Sequence, residues 1–91
     1  ELYKDVAVRV APIGEEEALE ALAATRISRV LDGWRGGPAG DREAAARAVS
    51  AVSRFIADFA REVREVEINP LAVFEEGKGC LALDCVIVAN N

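Results

Sequence analysis

Histidine and methionine are both absent from these 91 residues, which hold only two cysteines, one tryptophan and three prolines. The missing imidazole removes the commonest general base, a common phosphoryl carrier and the commonest zinc ligand together. Chemistry that needs those groups must come from outside this stretch. Uncharged apolar runs fall far short of the ~18 residues that a membrane-crossing helix requires, and no basic-plus-apolar leader follows Glu1. No membrane partner is expected. Positive charge is also in short supply, with eleven Lys and Arg against sixteen Asp and Glu and a net charge of -5. The basic residues are scattered along two helical stretches and form no phosphate-binding face, which argues against nucleic acid as a partner. Cys80 and Cys85 lie at an odd separation on one expected strand, so they should face opposite ways and remain packed thiols in a reducing cytoplasm. With Glu1 first and no methionine, the chain is expected to be a piece of a longer protein.

What is present is globular. An apolar share of 52% beside 30% charged residues excludes disorder, and the length suits one small domain or part of one. Residues 4–12, "KDVAVRVAP", alternate Val6, Val8 and Val10 with Asp5, Ala7 and Arg9, which predicts a strand closed by Pro12. From Glu15, Leu19, Leu22, Ala23, Ile27, Val30 and Leu31 recur at helical spacing, with acids in the first turn and Gly33 as the stop. The Gly- and Pro-rich "WRGGPAG" reads as a loop. Asp41 then caps a second helix running to about Val63, with Ala45, Val49, Val52, Ile56, Phe59 and Val63 as its apolar stripe. Residues 64–75 and 79–88 read as a hairpin whose turn is Gly77-Lys78. The expected fold is α+β: an antiparallel sheet with two helices packed on one face, in the order strand, helix, helix, strand, strand.

The hairpin carries the chemistry. A two-residue Gly77-Lys78 turn places Glu76 across from Gly79 and Asn69 across from Val86, leaving Asp84 a diagonal neighbour of Asn69 at roughly 7 to 8 Å. Glu67 shares that face by the period of two. Two carboxylates and a carboxamide, with no nitrogen or sulfur donor, form a hard-ligand set suited to magnesium or manganese. The same three residues also fit the solvated face of a one-sided sheet. Both readings stand on periodicity alone.

"EINPL" at 67–71 followed by "LALD" at 81–84 resembles the closing hairpin of the ATP-grasp domain in the succinyl-CoA synthetase superfamily. "KDVAVRVAPI" and "LDGWRGGPAGD" are similar to further segments of its NDP-forming acyl-CoA synthetase branch, in the same order and spacing. The resemblance implies that residues 1–91 are the C-terminal half of an ATP-grasp domain. It implies Asn69 and Asp84 as ligands of a magnesium ion that bridges ATP or ADP (or GTP or GDP) phosphates, with Glu67 beside them, and it would bring Arg9 toward the phosphates. Arg9 is equally well read as a surface arginine paired with Asp5 or another acid. Asp32, Arg35 and Asp41 are expected to shape the central loop and cap helices, and Trp34 to anchor packing. The implied partners are the rest of the ATP-grasp domain and separate CoA-binding and ligase domains, without which this piece should be inactive. Weak self-association of the piece is expected as well. The competing reading is a non-catalytic α+β interaction or regulatory module.

Overall fold

The computed structural model describes residues 5–91, with the side chain of Trp34 left aside. Among the described residues, four helical segments precede four strands: α1 (Glu15–Ala23), α2 (Ile27–Leu31), a 3-10 turn (Trp34–Gly36), α3 (Arg42–Asp58), β1 (Val63–Ile68), β2 (Leu71–Val73), β3 (Cys80–Ala82) and β4 (Cys85–Ala89). The α+β class matches the expectation. α1 and α3 pack together through small residues, so the core is built on Ala18, Ala46 and Ile13, flanked by Leu19, Leu22 and Val49. Short side chains let the two backbones approach closely. Ser50 and Ser53 on α3 tie down the segment ahead of α1: Ser50 Oγ donates to Ile13 O at 2.8 Å, and Ile13 N donates to Ser53 Oγ at 3.0 Å.

Three boundaries depart from the sequence expectations. The helix expected from Glu15 to Gly33 breaks after Ala23, where Thr25 Oγ1 donates back to Leu22 O at 2.7 Å. The Asp5 carboxylate accepts from Arg26 N at 2.8 and 3.0 Å, acting as a distant cap for α2. α3 ends at Asp58 and not near Val63, because Val63 pairs with Ala89 at the start of β1. Residues 5–12 form no strand. A strand is completed by a ladder partner, and none of the described residues supplies one; Val6, Val8 and Val10 stand 66%, 79% and 87% exposed. Lys4, at the head of that expected strand, lies outside the described residues.

β1 pairs with β4 and β2 with β3, both antiparallel. The register is two residues away from the expected one. Glu67 opposes Val86, Ile68 opposes Cys85 and Leu71 opposes Ala82, while Phe74 N donates to Gly79 O at 2.9 Å. The turn is therefore longer than Gly77-Lys78: it spans residues 75–78, closed by Lys78 N donating to Glu75 O at 2.8 Å. Gly77 and Gly79 both sit at φ 86, a conformation that side chains with a Cβ resist. The ladder is broken at 69–70 and 83–84, which puts Cys80 and Cys85 on separate strands. Both are free; Cys80 is half-buried with Sγ 3.5 Å from Ala44 O, and Cys85 is exposed instead of packed.

Candidate functional site

Glu67, Asn69, Asp84 and Val86 line one small pocket of about 170 Å³ on the hairpin. β1 carries the first of these and β4 the last, and the residues at the ladder break supply the other two. The corrected register tightens the arrangement: Asn69 lies directly across from Asp84, its N–H donating to Asp84 O at 3.1 Å. Because the shift is two residues, each side chain keeps the face that alternation assigns it. All three polar residues are exposed. Their donors are oxygen, the chemistry that magnesium prefers, and magnesium is commonly held by one or two protein groups with waters and phosphates completing its shell. No three His, Cys, Asp or Glu side chains cluster among the described residues. The pocket thus offers a partial hard-ligand set that fits a metal carried in with phosphates.

Arg9 is not among the residues that line this pocket. It lines a separate one with Ile13, Ser53 and Val66, and its Nε lies 3.8 Å from Glu17 on α1. Pairing with an acid is the reading that the geometry displays, with Glu17 in that role. Asp5, the acid nearest in sequence, is engaged with Arg26 N instead.

The central loop is held by polar contacts of the helices on either side of it. Arg42 Nη2 bonds the Asp32 carboxylate and Ser28 O while Nη1 reaches Ser28 Oγ, so one guanidinium joins α3 to α2. Arg35 adopts φ 54 and ψ 44 between Gly33 and Gly36. Asp41 caps α3 as expected, accepting from Ala44 N at 3.1 Å through Oδ1. Sequence reasoning missed its second bond: Gly79 N donates to Asp41 Oδ2 at 2.8 Å. The two amides, Ala44 first and Gly79 second, hold the Asp41 carboxyl below the usual carboxylate range, against a smaller opposing effect of burial. No local pattern could have announced a contact 38 positions away.

A model of the ATP-grasp domain matches residues 1–89. The chain is 34% identical over 84 residues to the ADP-forming 4-hydroxybutyrate–CoA ligase of Nitrosopumilus maritimus, covering 92% of this chain and 12% of that protein. It is 31% identical over 91 residues to the beta subunit of ADP-forming acetate–CoA ligase II of Pyrococcus furiosus, covering 100% of this chain and 39% of that subunit. A dinucleotide-forming acetyl-coenzyme A synthetase 1 of Ca. Korarchaeum cryptofilum matches with TM-score 0.88 and 29% identity, over 98% of this chain and 38% of that one. Another structure of that synthetase, in complex with coenzyme A and Mg-AMPPCP, matches with TM-score 0.82 and 26% identity over 92% and 38%. The chain thus spans from 12% to 39% of the length of these relatives. With the family model covering all but its last two residues and the fold shared with solved relatives, the chain belongs to the ATP-grasp domain family.

Proposed function

We propose that residues 1–91 are the C-terminal half of an ATP-grasp domain in an NDP-forming acyl-CoA ligase, where Glu67, Asn69 and Asp84 hold magnesium against nucleotide phosphates. The observation that carries this is the convergence of those three side chains on one pocket. The names of the relatives reported above, ADP-forming or acetyl-CoA enzymes, favour a ligase over a non-catalytic module and ADP over GDP. When bound, magnesium neutralises charge on the phosphates during phosphoryl transfer. The chain's own contribution is placement. Asp84 and Glu67 supply negative charge, Asn69 supplies a neutral oxygen, and pairing of β1 with β4 sets their separation. Arg9 is assigned to holding the N-terminal segment against α1 through Glu17. The remaining nucleotide contacts, the CoA site and the phosphoryl-carrying group belong to other parts of the longer protein.

The test is made in the full-length protein. Asn69→Ala and Asp84→Ala should each lower turnover by roughly tenfold or more, with a smaller change in nucleotide affinity, since a metal that offsets developing charge acts chiefly in the transition state. Both residues are exposed, so thermal stability should barely move. Activity equal to wild type across a magnesium titration would show that Asn69 and Asp84 are only the solvated side of a sheet.

A further inference from the structure

The hairpin has two registers that hydropathy cannot tell apart. A slip of one residue would turn every side chain over, but a slip of two returns each to its own face. The sequence contains a good turn for the slipped form, since Gly77-Lys78 suits a two-residue primed loop with Glu76 across from Gly79. Apolar burial therefore leaves the choice open. Only one of the two registers sets Asn69 directly across from Asp84.

We propose that Asp41 is a positioning residue that selects this register, and hence the spacing of the Asn69–Asp84 pair, by clamping the hairpin turn to the start of α3. The functional part of the inference rests on the metal-site reading above. Asp41 is 7% exposed, and its N–H and both carboxylate oxygens are bonded. Its N–H donates to Phe74 O at 2.7 Å, Gly40 bridges Glu75, and Glu76 N donates to Ala39 O at 2.8 Å. Phe74 O is the acceptor that a ladder would offer to Gly79 N–H. With that oxygen bonded to Asp41 N–H, Gly79 at φ 86 directs its own N–H to Asp41 Oδ2 at 2.8 Å. In the slipped register Leu81 would take the place of Gly79 across from Phe74. A leucine resists positive φ, so the carboxylate would lose its partner. The clamp thus recognises a glycine at one position along the strand, which is a register measurement.

Helix capping and register selection separate experimentally, because Asn and Ser cap a helix about as well as Asp, while neither offers a second carboxylate oxygen to Gly79. Disulfide formation with the native Cys80 reports the register in the 91-residue chain carrying Cys85→Ser. Val73→Cys tests the observed pairing, in which Val73 opposes Cys80, and Glu75→Cys tests the slipped one. With Asp41 present, the thiol at position 73 should capture Cys80 much faster than the thiol at 75. Asp41→Ser and Asp41→Asn should each shift the ratio of the two rates by roughly fivefold or more toward position 75, with helical circular dichroism retained. An unchanged ratio in both variants overturns the proposal, as does loss of helix in both, which would make Asp41 a folding requirement and not a register selector. The readout needs no metal. A shifted ratio beside an unchanged magnesium requirement in the full-length Asp41→Ser protein would keep the register role and remove the metal reading.

Discussion

At the scale of single residues, the depressed titration of Asp41 makes a prediction about acid stability. Backbone N–H groups, that of Ala44 first and that of Gly79 second, favour its charged form in the folded chain, with Gly77 and then Arg47 adding smaller contributions. A carboxyl whose folded pKa lies below its unfolded one contributes stability in full above the ordinary carboxylate range. That contribution is lost as pH falls through the depressed folded value. Asp41→Asn cannot titrate. The stability gap between wild type and Asp41→Asn should therefore stay constant from neutral pH down to about pH 5, then narrow below about pH 4. Denaturant midpoints measured from neutral to strongly acid pH would show it, and a gap that stays level throughout would mean the carboxylate charge contributes nothing there.

Among the elements, those governed by local pattern were legible and those governed by distant partners were not. The α3 start was readable from Asp41, and its N-cap bond is present. The α1–α2 break was not, because its cap is Asp5, 21 positions away from Arg26. The pocket residues Glu67, Asn69 and Asp84 were found through alternation and the motif, although the register behind them was two residues off. Alternation is blind to that error, and the turn that corrects it is bonded to residues 39–41, far from the hairpin in sequence. The first strand failed for a related reason: Val6, Val8 and Val10 alternate as a strand should, but pairing depends on a neighbour that alternation does not describe. The α1–α3 contact makes its own prediction. Ala46 is fully buried, so Ala46→Leu should overpack the contact and cost about 1 to 3 kcal/mol. Ala51→Leu, on the exposed side of the same helix, should stay within about 0.5 kcal/mol. Urea midpoints for the two variants decide it, and equal losses would place the core elsewhere.

For the molecule as a whole, the exposed valines near the N-terminus form an unpaired apolar segment, the kind of edge that recruits a strand from another copy. The 91-residue chain should self-associate weakly, and Val8→Lys with Val10→Lys should reduce it. Sedimentation velocity at rising concentration checks this; a strict monomer at millimolar concentration would count against it. The turn at 75–78 has a different consequence, one that concerns how such a gene could change. Loss or gain of two codons there would leave the hydropathy profile, the strand faces and the helix contacts much as they are. With Asp41 still holding Gly79, it would also leave Phe74 across from Gly79 and Asn69 across from Asp84. Loops on a protein surface ordinarily absorb small insertions and deletions with little effect, and here the ruler is the contact of Asp41 with Phe74 and Gly79 on either side of the loop, so the loop's own length is free to vary.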